Sequence, residues 1–204
     1  MTRAFVALLL DDATRAAVAA QIDHLRAVER ASGRAVAWVP AQNLHLTLKF
    51  LGEQPEPRLA AVQEALAAVA RTARPFAVTL QGLGAFPGLE RPRVLWIGLA
   101  EGGADARALQ ERVEVALAPC GLEPDGRPWH PHLTIGRVFD ERRWRRDAGP
   151  PLREAIMAAG TRGFGRVAVE RMVLVRSDLS PSGARYSELA SLSLDPRWTL
   201  QIRP

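Results

Sequence analysis

One short pattern occurs twice in the chain and constrains its fold more than any other feature. Residues 43–48 read Asn-Leu-His-Leu-Thr-Leu, and residues 131–135 read Pro-His-Leu-Thr-Ile, so His45 and His132 lie 87 residues apart in the same context. Each copy has the alternating aliphatic character typical of a β-strand. A repeat at this separation in a chain of 204 residues predicts two similar lobes, each contributing one copy.

Strand geometry predicts which side chains of the two copies act together. Successive side chains of a strand point to opposite faces. His45 and Thr47 therefore share one face, while the aliphatic residues between them anchor the other. His132 and Thr134 form the matching pair of the second copy. If the two strands lie side by side about a local two-fold axis, two His–Thr pairs face each other across a groove.

Two imidazoles in one groove form a matched acid and base near neutral pH. One takes a proton from an attacking oxygen, the other gives one to a leaving oxygen, and the two hydroxyls hold the non-bridging oxygens of a phosphodiester. Neither a nucleophilic side chain nor a metal ion is required. The symmetry of the arrangement leaves open which histidine is the acid and which is the base.

The charged residues also favour a ligand that contains phosphate. Lysine and arginine total 27 against 22 acidic residues, giving a net charge of +5, and Lys49 is the only lysine. Arginine binds phosphate through its planar fork, so the excess favours a polyanion such as RNA. For the composition taken alone, a genome biased toward arginine is the better explanation. The chain lacks the Gly-Lys-Ser/Thr ending of a P-loop. A single cysteine, Cys120, excludes an internal disulfide framework and is expected in a reducing cytoplasm.

The remaining pattern predicts an α+β protein with a largely antiparallel sheet. No apolar run reaches the roughly 18 to 20 residues of a membrane span. The apolar opening, residues 4–10, is predicted to be a strand rather than a secretory signal. Strands are predicted at residues 3–10, 43–51, 76–80, 93–99, 130–138, 166–175 and 185–192, and helices at 12–30, 57–74, 104–119 and 152–159. A turn is predicted at 82–92 and a polar loop at 140–151. No linker that would separate domains is evident, so residues 1–204 are expected to form a single domain.

With its flanks, the repeated motif resembles a known family. The two segments read Asn-Leu-His-Leu-Thr-Leu-Lys-Phe-Leu-Gly-Glu and His-Pro-His-Leu-Thr-Ile-Gly-Arg. They resemble the 2H phosphoesterases, and most closely the bacterial and archaeal RNA 2′,3′-cyclic phosphodiesterases once named 2′-5′ RNA ligases. The resemblance covers nearly the whole chain, including Phe-Val-Ala near the start, residues 94–98 and residues 180–186.

This resemblance implies a bilobal α+β fold, with helices packed outside two related lobes of antiparallel sheet and an active-site cleft between them. It implies hydrolysis of a terminal 2′,3′-cyclic phosphate to a 2′-phosphate without a metal or other cofactor. His45 would be the proton donor to the departing 3′ oxygen, and His132 would be the base that activates water. Thr47 and Thr134 would bind the phosphate oxygens.

Arg137 matches an arginine that the family places near the phosphate. Strict alternation puts Arg137 on the opposite strand face from Thr134. The role implied for it therefore requires a strand end or a β-bulge near Gly136.

The expected partners are RNA ends that bear a 2′,3′-cyclic phosphate, with tRNA fragments among the candidates. No membrane or metal partner is expected. The protein is expected to be a monomer in the cytoplasm. Two alternatives stay open. The same cleft would also support ATP-independent 2′-5′ ligation, because an acid and base pair works in both directions. A non-catalytic module that binds a nucleotide or an RNA end is the other.

Three further features have competing interpretations. His130 and His132 have a spacing seen at metal sites, but no third ligand is evident. By alternation Lys49 shares the face of His45, where it would help to hold a phosphate or lie on the rim. The basic segment 141–147, with an aromatic at its centre, is either a site for single-stranded RNA or a solvated loop.

Overall fold

Nine β-strands and five α-helices make up the described part of the chain, residues 1–30, 33–180, 183–195 and 197 of a computed structural model. The strands are β1 (Thr2–Leu9), β2 (Val36–Trp38), β3 (His45–Gln54), β4 (Phe76–Phe86), β5 (Val94–Glu101), β6 (Leu133–Val138), β7 (Gly163–Val169), β8 (Arg171–Ser180) and β9 (Gly183–Ser193). The α-helices are α1 (Asp12–Arg30), α2 (Glu56–Ala70), α3 (Gly103–Leu117), α4 (Glu141–Arg143) and α5 (Gly149–Ala158). Pro181 and Ser182 of the family-like segment 180–186 lie outside the described residues.

The strands form one curled antiparallel sheet in the order β7-β4-β5-β6-β3-β1-β8-β9, with β2 paired to β6. The two motif strands are neighbours at its centre, where Leu46 pairs with Leu133. This pair joins two four-stranded halves, which we call the β3 lobe (β3, β1, β8 and β9) and the β6 lobe (β6, β5, β4 and β7). The predicted α+β fold with an antiparallel sheet is confirmed.

Helices cover the side of the sheet onto which the motif leucines point. Helices α1 and α5 pack against the outer strands of the β6 lobe, α2 packs behind β8 and β9, and α3 packs against α2 and the sheet. Leu46 and Leu133 are 2% and 0% exposed in the core between helices and sheet. The opposite, polar face of the motif strands is therefore left for the cleft. No helix in the described part of the chain is long and apolar enough to cross a bilayer.

Strand β2 is held beside β6 by a buried carboxylate. Glu29, in the last turn of α1, is 2% exposed and accepts hydrogen bonds from the backbone N–H groups of Ala35 and Val36 and from the indole of Trp38, each at 2.7 Å. Gly136 pairs with Trp38, and a Cβ there would lie 2.7 Å from Val36 Cγ1. The carboxylate thus fixes the short strand that pairs with residues 136–138 of β6.

Two predicted boundaries are wrong because of glycine and proline. The turn predicted at 82–92 is strand as far as Phe86. Gly82, at φ 74°, lies at a register shift that lets β4 continue alongside β5. The strand predicted from His130 begins instead at Leu133, since Pro131 lacks the N–H that a ladder requires.

Two other predicted segments are also different in the structure. The single strand predicted at 166–175 is divided between β7 and β8, which are separated only by Glu170. The polar loop predicted at 140–151 is helical, running through α4 and a π-helical turn, Trp144–Ala148, into α5. Trp144 is 0% exposed and donates its indole N–H to the Leu89 carbonyl at 3.0 Å. Trp144 is therefore a core residue, and its ring is not available to stack on RNA.

We expect Glu29→Ala to lower the free energy of unfolding by about 2 to 4 kcal/mol, since it leaves buried donors without an acceptor. Urea unfolding measures the change. Glu64→Ala, at an exposed position of α2, is the control and should change stability by less than about 0.5 kcal/mol. Equal stability of the two variants would contradict the role of Glu29.

Candidate active site

The central strand pair brings four polar side chains to one face of the sheet. Because β3 and β6 are antiparallel and Leu46 pairs with Leu133, the residues one position away place His45 opposite Thr134 and Thr47 opposite His132. All four side chains are half-buried. The two histidines lie on a diagonal of this square, a relation in which paired strands separate residues by about 7 to 8 Å. A phosphate group fits between them.

Both histidines have the same tautomer. His45 Nδ1 lies 2.7 Å from the Asn43 carbonyl oxygen, and His132 Nδ1 lies 2.7 Å from the His130 carbonyl oxygen. A carbonyl oxygen only accepts, so Nδ1 carries the hydrogen in each ring. Nε2 is left in each ring to accept a proton when the imidazole is neutral or to donate one when it is charged.

His45 is enclosed by aromatic rings. Its imidazole stacks on Phe5, with ring centroids 4.6 Å apart, and meets the Tyr186 ring edge-on at 5.4 Å. Phe5 and Ala7 pack with Val173 and Val175 in a small apolar cluster on this face of the sheet. This burial is the main reason that the pKa of His45 is lowered from its ordinary value, although its bond to the Asn43 carbonyl acts in the opposite direction.

In the described part of the chain, His132 has one close aromatic neighbour. The Phe86 ring meets it edge-on, with centroids 5.1 Å apart. Burial again lowers the pKa of His132, and the bond to the His130 carbonyl again opposes it. The His130 side chain itself is exposed. In the described residues no three His, Cys, Asp or Glu side chains form a possible metal-ion site.

A β-bulge turns Arg137 toward the histidines. Leu95 pairs with Gly136, but the next residue, Trp96, pairs with Thr134, so Ile135 is an extra residue in β6. The bulge brings Arg137 to the strand face that carries Thr134. The position near the phosphate that the family resemblance implies for Arg137 requires this. The positive charge of Arg137 lowers the pKa of both histidines, in each case after the effect of burial.

Strand β3 has a bulge at the corresponding place. Val6 pairs with Lys49 and Ala7 with Thr47, which leaves Leu48 as the extra residue. The expectation that Lys49 shares the face of His45 is therefore wrong. Lys49 is 7% exposed on the helix side, where it forms an ion pair with Glu114 of α3 and donates to the Glu123 carbonyl at 2.9 Å.

Phe50 is a cleft residue that the sequence analysis missed. Both bulges lie three residues after their histidine, so Phe50 occupies in β3 the position that Arg137 occupies in β6. Phe50 is directly opposite Phe5, with ring centroids 6.1 Å apart, and is 63% exposed. The sequence did contain a signal, because Phe50 is the residue of the first motif that aligns with Arg137 of the second.

Comparisons with known proteins identify the family to which the chain belongs. A family model described as the 2′-5′ RNA ligase superfamily matches residues 14–180. A protein of Archaeoglobus fulgidus named RNA 2′,3′-cyclic phosphodiesterase is 36% identical over 187 residues, covering 92% of this chain and 97% of the relative. One of Thermus thermophilus with the same name is 34% identical over 200 residues, covering 94% of this chain and 90% of the relative.

Solved structures show the same fold over nearly the full length. The crystal structure of the Thermus thermophilus protein TT0787 superposes with a TM-score of 0.75 at 31% identity, covering 94% of this chain and 97% of that one. Escherichia coli LigT complexed with 3′-AMP gives a TM-score of 0.69 at 29% identity, with 95% and 98% covered. The fold and the paired motifs define a two-histidine phosphoesterase architecture. The chain belongs to the 2′-5′ RNA ligase superfamily.

We expect Arg137→Ala to raise the pKa of both His45 and His132, since loss of a nearby positive charge favours the imidazolium form. NMR titration of the imidazole nitrogens measures this without any substrate. Arg74→Ala is the control, because the Arg74 charge acts on neither ring. Unchanged pKa values in Arg137→Ala would show that this guanidinium does not face the histidines.

Proposed function

We propose that this protein hydrolyses the terminal 2′,3′-cyclic phosphate of RNA to a 2′-phosphate by metal-independent acid and base catalysis. The observation that carries the proposal is the matched pair of histidines on one face of the central strands, each with Nδ1 bonded to a carbonyl and Nε2 left for proton transfer. The names of the relatives support the choice of reaction.

In this reaction the cyclic phosphate lies between the two rings. His132 Nε2 takes a proton from a water molecule whose oxygen forms the new bond to phosphorus. The bond from phosphorus to O3′ breaks as His45 Nε2 gives its proton to O3′. Thr47 and Thr134 donate hydrogen bonds to the non-bridging oxygens, and the Arg137 guanidinium balances their negative charge.

The position of Phe50 supports this order of roles. O3′ stays on the ribose after its bond to phosphorus breaks, so the acid lies on the nucleoside side of the phosphorus. Phe50 exposes a ring in the β3 lobe next to Phe5, the ring on which His45 stacks. We infer that a nucleobase stacked on the Phe50 ring also lies near Phe5 and so brings the ribose, and with it O3′, toward His45.

Burial and Arg137 both favour the neutral imidazoles, which suits the base but not the acid. A bound phosphodiester brings a negative charge that favours the imidazolium again. Substrate binding thus helps to charge the acid, and the reactive form is the one in which His45 is charged and His132 is neutral.

The partners we propose are RNA ends that carry a 2′,3′-cyclic phosphate, tRNA fragments among them, encountered in the cytoplasm by a monomer. The net charge of +5 is consistent with a polyanionic substrate. A module that only binds such ends is the competing function.

The decisive assay uses an oligoribonucleotide with a 2′,3′-cyclic phosphate in excess EDTA. We expect His45→Ala and His132→Ala each to lower the rate by about 10² to 10⁴, the contribution of a positioned acid or base. His24→Ala, at an exposed position of α1, is the matched control and should retain full activity. A rate within about tenfold of wild type in either cleft variant, or loss of wild-type activity in EDTA, contradicts the mechanism. Binding without turnover by the wild-type protein would favour the binding module.

We expect Phe50→Ala to raise KM for adenosine 2′,3′-cyclic phosphate by about tenfold with a smaller effect on kcat, since stacking on an aromatic ring stabilises a bound base. Phe50→Trp should restore KM. Phe139 is a matched control, because it is 61% exposed and lies just beyond the end of β6. Equal KM values for Phe50→Ala and Phe139→Ala would contradict a contact with the base.

A further inference from the structure

The hairpin formed by β8 and β9 extends beyond its neighbour in the sheet. Residues 173–176 of β8 pair with β1, whereas residues 177–180 pair only with residues 183–186 of β9 in the described part of the chain. We call these two short segments the hairpin end. In the strand order β9 is three positions from β3, a separation of about 14 Å in a flat sheet. The side-chain amide of Asn43, two residues before β3, nevertheless donates a hydrogen bond to the Ala184 carbonyl at 2.7 Å. The hairpin end therefore curls back toward the start of β3.

Within the hairpin end, Tyr186 reaches the active site. Its ring meets His45 edge-on at 5.4 Å and Phe5 edge-on at 5.1 Å, so the hairpin end lies on the cleft face of the sheet. Tyr186 is half-buried, and no residue in the described part of the chain is hydrogen-bonded to its hydroxyl. The proposed reaction assigns no role to this hydroxyl.

The charges near Tyr186 indicate what its hydroxyl can bind. Burial raises the pKa of the phenol, while the positive charges of Arg137 and Arg3 act in the opposite direction. The hydroxyl therefore stays protonated and is available as a donor. In the described residues neither arginine forms an ion pair, although Glu53 lies opposite Arg3 on β3. A neutral donor near two unpaired cations suits an anionic oxygen, which makes the strongest hydrogen bonds with such a donor.

Asn43 connects the hairpin end to the first histidine. Its backbone carbonyl accepts the hydrogen bond from His45 Nδ1, and its side chain donates to Ala184, each at 2.7 Å. Asn43 is 8% exposed. The residue at the same place in the second copy is His130, whose carbonyl binds His132 in the same way but whose side chain is exposed. Asn43 thus holds the imidazole and the hairpin end in one arrangement.

We propose that Tyr186 is a further substrate-binding residue, whose hydroxyl donates a hydrogen bond to a phosphate oxygen, and that Asn43 is the positioning residue that holds it beside His45. The inference rests on the proposed function and adds a third hydroxyl to those of Thr47 and Thr134. The cyclic phosphate of the substrate and the 2′-phosphate of the product both offer an anionic oxygen. Tyr186 keeps its proton throughout, so the acid and the base are unchanged.

Calorimetry with adenosine 2′-phosphate, the product of the proposed reaction, and with adenosine tests the contact. Tyr186→Phe keeps the ring that packs on His45 and removes only the hydroxyl. We expect it to raise Kd for adenosine 2′-phosphate by about tenfold, the effect of one hydrogen bond to a charged group, and to leave Kd for adenosine unchanged. Ser187→Ala is the matched control, because it removes an exposed hydroxyl from the next residue of β9 and should bind both ligands as wild type does.

The role of Asn43 is tested by combining two substitutions. Asn43→Ala removes the side-chain bond to Ala184 but keeps the backbone carbonyl that holds His45 Nδ1. We expect it to raise Kd for adenosine 2′-phosphate by about threefold to tenfold when Tyr186 is present and to have no further effect in Tyr186→Phe. A merely structural role would give the same loss in both backgrounds.

Hydrolysis gives an independent measure of the same contact. We expect Tyr186→Phe to lower kcat/KM for adenosine 2′,3′-cyclic phosphate by about tenfold, since the substrate phosphate loses one hydrogen bond to the protein. This loss is smaller than the loss expected for His45→Ala, because Tyr186 transfers no proton.

The assignment is overturned if Tyr186→Phe binds adenosine 2′-phosphate as tightly as wild type. It is also overturned if this variant loses affinity for adenosine and for its 2′-phosphate equally, because the hydroxyl then does not contact the phosphate. Equal effects of Asn43→Ala in the two backgrounds overturn its positioning role. Failure of the proposed function is a separate result, in which the wild-type protein does not hydrolyse adenosine 2′,3′-cyclic phosphate, and the calorimetric comparison still decides this inference.

Discussion

The antiparallel contact between β3 and β6 at Leu46 and Leu133 determines the rest of the site. It places each histidine opposite the threonine of the other motif, and it buries the two leucines against the helices. The two lobes meet along this line, so the residues of one lobe complete the site of the other. A shift of either strand by one residue would turn its histidine toward the core.

The two bulges add a charge and an aromatic ring to the site without disturbing the contact between β3 and β6. Both bulges follow a His-x-Thr segment, so the arrangement of the two histidines and two threonines stays regular. The residues after each bulge lie on the opposite face from the one that strict alternation predicts. One bulge brings Arg137 to the cleft and the other brings Phe50. The related halves thus acquire different properties, a cationic side and an aromatic side, which suit the phosphate and the nucleoside of one substrate.

Local alternation in the sequence accounts for much of this arrangement, because the pleat fixes the faces of His45, Thr47, His132 and Thr134. Alternation gives the wrong face for Lys49, because a bulge forms where two residues of one strand lie opposite a single residue of its neighbour. The neighbouring strand is not part of the motif, so the motif alone does not predict the bulge. Phe50 was missed for the same reason. Trp144, in a charged segment, becomes core through a hydrogen bond to Leu89, 55 residues away. The repeat predicted a pair of lobes, but the order of strands that joins them into one sheet depends on long-range pairing.

In the proposed mechanism, two imidazoles that are distant in the sequence act on the same phosphorus atom. A crystal structure with adenosine and vanadate, which mimics the five-coordinate transition state, tests it most directly. We expect His45 Nε2 and His132 Nε2 to lie within hydrogen-bond distance, about 2.7 to 3.2 Å, of opposite apical oxygens of one vanadium centre. A vanadate that contacts only one of the two rings, or that is bound away from the β3–β6 junction, would contradict it.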